Sequence, residues 1–113
     1  MPVRSLDSSI IRWPDRDQVD AAVRRLAIEL AASRPDLLRV GYFGSYADGR
    51  WGVGSDVDVI IVVSGSDEPF PRRAAAFDVS SLPVPADVLV YTTDELERVS
   101  PRILDGTVWV FAR

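Results

Sequence analysis

Two aspartates stand one residue apart where an apolar segment begins, in SDVDVIIVV (55–63). In a β-strand, residues two positions apart point to the same face, so Asp56 and Asp58 present two carboxylates side by side. Such a pair repels itself and is costly to desolvate unless a cation lies between the two groups. Taken alone, the pair is more typical of a strand start whose aspartates face water at a sheet edge, and a divalent-metal site is the alternative.

A third carboxylate, Asp87, interrupts the apolar segment VPADVLVY (84–91). An unpaired charge inside a buried strand is costly. Asp87 therefore needs a partner, and it can reach the same metal if its strand lies beside that of Asp58. The alternative is a frayed strand start after Pro83 and Pro85.

A glycine-rich stretch, GSYADGRWGVGS (44–55), follows the apolar segment LLRVGYF (37–43). Gly44 would let a phosphate approach the backbone, and free amides with the Ser45 hydroxyl could donate hydrogen bonds to its oxygens. The alternative is an ordinary strand-to-loop turn. The later glycines match neither a dinucleotide fingerprint nor a P-loop.

The composition excludes several classes of catalyst. The chain has no Cys and no His, and all 13 basic residues are Arg, so there is no Lys. Ser-His-Asp triads, thiol nucleophiles, the usual zinc sites, disulfides and Schiff bases are therefore excluded. Carboxylate, hydroxyl, guanidinium and backbone groups remain, and carboxylates suit hard metal ions.

Length and charge bound the organisation. The 113 residues predict a single domain over 1–113, with 1–13 as an N-terminal extension. The net charge of −4 argues against nucleic acid as the main partner. Neither a signal peptide nor an apolar segment of membrane-spanning length is present, which predicts no membrane association and a cytoplasmic protein.

The elements that must position these residues follow from periodicity and capping signals. A helix is expected after Pro14, capped by Asp15 or Asp17 and ending near Ser33. Strands are expected at 37–43, 56–63, 84–91 and 107–112, with short helices at the start of 44–55, at 72–79 and at 92–99. This order predicts an α/β (α+β) fold with a mixed sheet and flanking helices.

Several side chains have a simple structural interpretation. Tyr46 and Trp51 could stack on a base or pack within the protein. The pairs Arg24/Arg25 and Arg72/Arg73 are interpreted as solvated helix faces. The other aromatic residues near the apolar segments are expected in the core: Tyr42, Phe43, Phe77, Trp109 and Phe111.

The glycine-rich stretch and the paired aspartates together resemble the signature G-S-x-A-R-G-x(5)-S-D-x-D of the polymerase-β-like nucleotidyltransferases. Ser45 precedes Asp56 by eleven positions, as in that signature. Asp87 falls on a later strand, where the superfamily puts its third carboxylate. The closing segment RILDGTVWVFA (102–112) looks like the last strand of the minimal nucleotidyltransferases (MNT). The remaining matching positions are Ala47, Gly49 and Ser55.

The resemblance implies a polymerase-β-like fold and transfer of a nucleotide, with ATP as the substrate and two Mg²⁺ ions as cofactors. It implies that the catalytic and metal-binding residues are Asp56, Asp58 and Asp87. The nucleotide-binding residues would be Gly44, Ser45, Arg50 and Ser55.

One position departs from the signature. Asp48 stands where the family usually has a basic residue, and Arg50 follows Gly49 instead. Arg50 could replace the missing phosphate contact, or triphosphate binding could be weaker than in the family. Asp48 itself is interpreted as a solvated loop residue.

The resemblance also bears on partners. Few residues follow Asp87, so the acceptor site is expected on another molecule. Small proteins of this pattern look like the antitoxin of HEPN–MNT toxin–antitoxin pairs, which implies transfer of AMP to a tyrosine of a HEPN toxin. Two alternatives stay open: a module that neutralises its partner by contact alone, and transfer to a small molecule by a homo-oligomer.

Overall fold

The structure is a computed structural model that describes residues 13–113, and its first element is the long helix α1 (Arg16–Ser33). Asp15 caps the helix: its carboxylate accepts the Gln18 N–H at 2.9 Å, while the Gln18 side chain accepts the Asp15 N–H at 2.9 Å. This capping box satisfies two N–H groups that the helix cannot pair internally. The predicted helix is confirmed, with Asp15 as its cap. The predicted extension lies, apart from Trp13, outside the described residues.

Four strands form one mixed sheet in the order β3-β2-β1-β4. β1 runs antiparallel to β2 and β4, whereas β2 and β3 are parallel. The predicted mixed sheet is confirmed, although three strands begin one or two residues later than expected. The strands are β1 (Leu37–Phe43), β2 (Val57–Val63), β3 (Ala86–Thr92) and β4 (Val108–Ala112).

The core lies between α1 and one face of the sheet. Alternate residues of β2 from Val57 to Val63 pack in the same cluster as Val19, Val23 and Leu26 of α1. Because side chains alternate along a strand, Asp58 lies on the opposite face. The helix that stabilises the sheet therefore leaves the carboxylate face free of its own side chains.

The shorter helices differ from the prediction. The expected helix at 72–79 is α3 (Phe70–Arg73) followed by a 3₁₀ turn (Ala74–Ala76), because the proline-rich start favours earlier helix formation and buried Phe77 is extended. The Thr92 capping box opens α4 (Thr93–Leu96), as predicted. A separate helix, α5 (Pro101–Asp105), was not predicted. This helix begins with Pro101 in its first turn, a position that proline favours.

Arg73 corrects the expectation of a solvated arginine pair. Its side chain is buried and donates to the backbone carbonyls of Glu68 at 2.9 Å and Val90 at 3.1 Å. The third guanidinium nitrogen donates to the Glu95 carboxylate at 3.0 Å. These bonds fasten α3, β3 and α4 to one another, which the sequence next to Arg72 gave no reason to expect.

Replacing Glu95 by glutamine is expected to lower the stability of the fold near neutral pH and to make that stability less sensitive to acid. The Arg73 guanidinium and the Thr92 N–H lower the pKa of the Glu95 carboxyl from 4.5 to about 2. A lowered folded-state pKa contributes stability above the ordinary pKa, and that stability is lost as pH falls through about 2. Urea unfolding between these pH values should show a smaller fall in the free energy of unfolding for Glu95→Gln than for wild type. Glu97→Gln, at an exposed position, is the control and should behave as wild type; equal slopes in all three proteins would contradict the prediction.

None of the helices within residues 13–113 combines the length and the apolar character needed to cross a membrane.

Candidate active site

The parallel pairing of β2 and β3 brings two of the predicted carboxylates together. Asp58 is the register partner of Asp87, and Val57 is the partner of Ala86. Neighbouring strands lie about 4.8 Å apart, and partners in register point to the same face. Asp56 immediately precedes β2 and is exposed at the strand start. The sequence predicted a shared site only if the Asp87 strand lay beside the Asp58 strand. The two strands are neighbours, so this requirement is met.

The electrostatics of Asp58 follow from this arrangement. Burial raises the pKa of its carboxyl above the ordinary value, and the negative charges of Asp87 and then Asp56 raise it further. Asp58 therefore lies within range of the charges of both Asp87 and Asp56. A cation placed among them would offset the repulsion and favour the ionised form of Asp58.

The donor set fits Mg²⁺ in a specific way. Among residues 13–113, no three acidic, histidine or cysteine side chains converge into a preformed metal-binding cluster. Mg²⁺ does not require such a cluster, because it keeps several waters and binds through one or two carboxylates together with substrate phosphates. Asp58 and Asp87 supply that kind of pair.

Gly44 brings the backbone against the Asp58 carboxylate. The last residue of β1, Phe43, is the register partner of Asp58, so the chain passes the carboxylate as it leaves the strand. Gly44 has φ +78° and ψ −151°, and a Cβ at this position would collide with the Asp58 carboxylate. The close approach and the backbone conformation both require glycine.

The short helix α2 (Ser45–Asp48) follows Gly44 directly. The first N–H groups of any α-helix have no acceptor within the helix, which leaves the amides of Ser45 and Tyr46 without one. Gly49 ends the helix in the left-handed conformation with φ +87°. The predicted short helix at the start of 44–55 is thus confirmed, and the phosphate-binding role of Gly44 and Ser45 stays a prediction.

Ser55 shapes the rest of the loop. Its hydroxyl accepts the Gly52 N–H at 2.8 Å, and its own N–H donates to the Gly52 carbonyl at 3.0 Å. The Trp13 indole donates to the Ser55 carbonyl at 3.3 Å. These contacts fix the segment that leads into Asp56, and the predicted contact between Ser55 and the nucleotide stays untested.

The two aromatic residues of the loop pack on each other. Tyr46 is fully buried, and its hydroxyl donates to the Pro14 carbonyl at 2.8 Å. The Trp51 ring stacks on the Tyr46 ring, with centroids 5.6 Å apart and planes 5° from parallel. Tyr46 is therefore a core residue, and this stacking favours the packing interpretation for both rings.

Asp48, the residue that departs from the signature, forms an ion pair with Arg50. The Arg50 guanidinium donates to one Asp48 carboxylate oxygen at 2.7 Å and 3.1 Å, and the Arg50 N–H donates to the other at 3.1 Å. The pairing lowers the pKa of the Asp48 carboxyl. The positive charge that the sequence offered as a phosphate contact is thus compensated within the loop.

A cavity of about 210 Å³ adjoins the glycine loop and contains a residue that sequence reasoning missed. The cavity is lined by residues of the β1–loop segment and of the α5 segment: Phe43, Gly44, Asp48, Arg50, Arg102, Ile103 and Gly106. The only sequence signal for Arg102 is its place in the closing segment 102–112. A larger cavity, of about 370 Å³, lies elsewhere, between α3, α4 and α5.

Comparison with known proteins decides the family. The model of the nucleotidyltransferase domain family matches residues 23–110, which include β1, the glycine loop, β2 and β3. The chain belongs to the nucleotidyltransferase domain family. No curated protein matches this nucleotidyltransferase domain significantly.

Two solved structures share the fold. A crystal structure from Sulfolobus solfataricus, provisionally described as a nucleotidyltransferase, has a TM-score of 0.69 and 24% identity, covering 87% of this chain and 84% of that one. A toxin–antitoxin structure with AMP-PNP has a TM-score of 0.50 and 16% identity, covering 83% of this chain and 73% of that one. The predicted nucleotidyltransferase fold, a mixed sheet with flanking helices, is confirmed.

Proposed function

We propose that this nucleotidyltransferase domain transfers AMP from ATP to a tyrosine hydroxyl of a HEPN toxin and acts as the antitoxin of the pair. The observation that carries the proposal is the parallel register of Asp58 with Asp87, with the Gly44 backbone against the Asp58 carboxylate. Carboxylates beside a glycine turn suit a metal-bound triphosphate, because the same site can hold cations and approach phosphate oxygens closely.

Each residue would have a distinct task in the transfer. The amides of Ser45 and Tyr46 would donate to phosphate oxygens, and Gly44 would allow the triphosphate to approach the backbone. Asp87 would accept the proton of the tyrosine hydroxyl, whose oxygen bonds to the α-phosphorus. The bond from that phosphorus to the bridging oxygen breaks, and pyrophosphate leaves with the electron pair. Two Mg²⁺ ions held by Asp56, Asp58 and Asp87 would supply stabilisation of the negative charge on the phosphates.

The choice of a protein acceptor rests on two supports. The sequence resembles the minimal nucleotidyltransferases of HEPN–MNT pairs, and a toxin–antitoxin structure with AMP-PNP shares the fold. The exposed positions of Asp56 and Asp87 would leave the carboxylate site open to a side chain of another molecule. A tyrosine side chain is long enough to bring its hydroxyl into such a site from the surface of a partner.

The test is a transfer assay with the partner encoded beside this chain. ATP labelled at the α-phosphate is incubated with Mg²⁺, the protein and the partner, and the label on the partner is located by mass spectrometry. Label on a tyrosine, with loss of toxin activity, is expected. Label moving when the ATP is labelled only at the γ-phosphate would contradict transfer of AMP, and absence of any transfer would contradict an enzymatic antitoxin.

A contact-only antitoxin is the second candidate, and the Asp48–Arg50 ion pair favours it. This pair compensates the loop charge that would otherwise attract a triphosphate. In the same assay, a contact-only antitoxin would bind and inhibit the partner without ATP. Asp58→Asn would then leave the inhibition unchanged.

A further inference from the structure

The path of the chain places α5 beside the glycine loop. β4 runs antiparallel to β1, and its first residue, Val108, is the register partner of Tyr42 near the end of β1. α5 comes immediately before β4, so it lies at the end of the sheet where β1 passes into Gly44. Arg102 and Ile103 of α5 accordingly line the cavity of about 210 Å³ that Gly44 also lines.

α5 is held firmly in this place. The Gly106 N–H donates to the Arg102 carbonyl at 3.1 Å, and the Thr107 hydroxyl donates to the Ile103 carbonyl at 2.6 Å. The Thr107 N–H also donates to the Leu104 carbonyl at 3.2 Å. These bonds join the end of the helix to the start of β4, so the backbone that carries Arg102 is fixed relative to the sheet.

The charges around the cavity leave Arg102 as the uncompensated group. Arg50 and Asp48 form an ion pair with each other at 2.7 Å. Within residues 13–113, the Arg102 guanidinium forms no salt bridge, and the residue is exposed. The residues that line the cavity therefore carry a net positive charge, which comes from Arg102, and one of them, Gly44, lies against the Asp58 carboxylate.

The size of the cavity indicates which part of a nucleotide it would hold. Sites for whole drug-sized ligands span roughly 300–1,000 Å³. This cavity is smaller, at about 210 Å³, and its lining residues include two arginines, Arg50 and Arg102, beside the apolar Phe43 and Ile103. The small volume excludes a whole nucleoside triphosphate, and the arginines suit its phosphate groups.

We propose that Arg102 binds the triphosphate of the nucleotide substrate, supplying from the C-terminal helix the charge that the glycine loop compensates internally. The inference rests on the proposed function, because it takes a nucleoside triphosphate as the substrate. A guanidinium is suited to this task, since its fork of N–H donors matches phosphate oxygens in pairs. Arg102 is then a residue that binds the substrate of the proposed nucleotidyl transfer. It lies in α5, outside the signature motif.

The test compares binding of AMP-PNP and of AMP, each with Mg²⁺, by isothermal titration calorimetry. Arg102→Gln should weaken AMP-PNP binding by at least about tenfold and change AMP binding less than about twofold, because AMP lacks the β and γ phosphates. Arg98→Gln is the matched control: Arg98 is an exposed arginine that lines the larger cavity instead. It should bind both ligands as wild type does.

The outcomes separate this inference from the proposed function. If wild type binds AMP-PNP and Arg102→Gln binds it equally well, or loses AMP binding to the same degree, the role of Arg102 is refuted while the proposed function stands. If wild type does not bind AMP-PNP, the proposed function itself fails. Should Arg102→Gln unfold, Arg102→Lys answers the same question, with selective loss of AMP-PNP affinity expected.

Asp48→Asn provides an independent arm, because it removes the carboxylate that compensates Arg50. AMP-PNP binding should tighten several-fold, and adding Asp48→Asn to Arg102→Gln should restore part of the lost affinity. If the double variant binds AMP-PNP no better than Arg102→Gln, the charge argument from the Asp48–Arg50 pair is wrong.

Discussion

Asp58→Asn is expected to lower nucleotidyl transfer by about a thousandfold or more while leaving the fold intact. Asp58 is the register partner of Asp87 and follows Asp56 by two residues, so it is the carboxylate that neighbours both of the others. An amide keeps the shape of the side chain but removes the negative charge that would attract a divalent ion and hold it against the phosphates. The measurement is single-turnover transfer from α-labelled ATP. Asp67→Asn, at an exposed turn position, is the control and should retain wild-type activity.

The same substitution is expected to preserve or raise the stability of the fold, although it removes activity. Because burial and two neighbouring carboxylates raise the pKa of Asp58, its ionised form opposes folding. That unfavourable contribution develops as pH rises from the ordinary pKa through the raised one. In the absence of Mg²⁺, Asp58→Asn should therefore be at least as stable as wild type near neutral pH.

Added Mg²⁺ completes this test of Asp58. Since an ion that binds only the folded state stabilises it, Mg²⁺ should raise the Tm of wild type and raise that of Asp58→Asn much less. Equal Mg²⁺ stabilisation of both proteins, or undiminished transfer by Asp58→Asn, would contradict the role assigned to this carboxylate.

Gly44→Ala is expected to cost about 1–3 kcal/mol of stability, from backbone strain, and most of the transfer activity. The backbone of Gly44, with φ +78° and ψ −151°, lies in a region essentially restricted to glycine, and an L-residue there costs about 1–3 kcal/mol. The added methyl would also collide with the Asp58 carboxylate, which would have to move away from its present position. Relieving the collision would displace the carboxylate or the loop. Urea unfolding measures the first effect, and the transfer assay measures the second.

Gly49→Ala separates backbone strain from collision. Gly49 also has a positive φ, of +87°, but a Cβ there would meet nothing within 4 Å. We expect a loss of about 1–2 kcal/mol from the left-handed backbone alone, with activity retained in the fraction that is folded. If the two alanine variants lose equal stability and equal activity, the collision with Asp58 has no functional consequence.

The local elements of this fold could be predicted because their causes are local. The spacing of Val19, Val23 and Leu26 predicts one buried face of a helix, as observed in α1. The predicted bounds of β1 agree with Leu37–Phe43. The strand alternation around Val57 also placed Asp56 and Asp58 on one face. Boundaries near prolines and capping residues were less predictable, because several neighbouring positions satisfy the same local preferences.

Arg73 and Arg102 show where such reasoning fails. The sequence around each residue is that of an ordinary exposed arginine, and nothing nearby distinguishes Arg73 from Arg72. Arg73 is buried because its guanidinium bonds Glu95 of α4, the Val90 carbonyl of β3 and the carbonyl of Glu68 in the preceding turn. Arg102 lines the cavity because β4 pairs with β1. Both outcomes depend on partners distant along the chain.

The sequence by itself determined the types of chemistry open to this protein: it lacks Cys, His and Lys, spaces Asp56 and Asp58 on one strand face, and places a glycine turn after β1. Only the tertiary structure decided that Asp87 is the register partner of Asp58, and that the loop charge of Arg50 is compensated while Arg102 faces the same cavity. The physical reason is that side-chain periodicity is set by the local backbone. Strand register and cavity lining are instead set by which distant segments pack together.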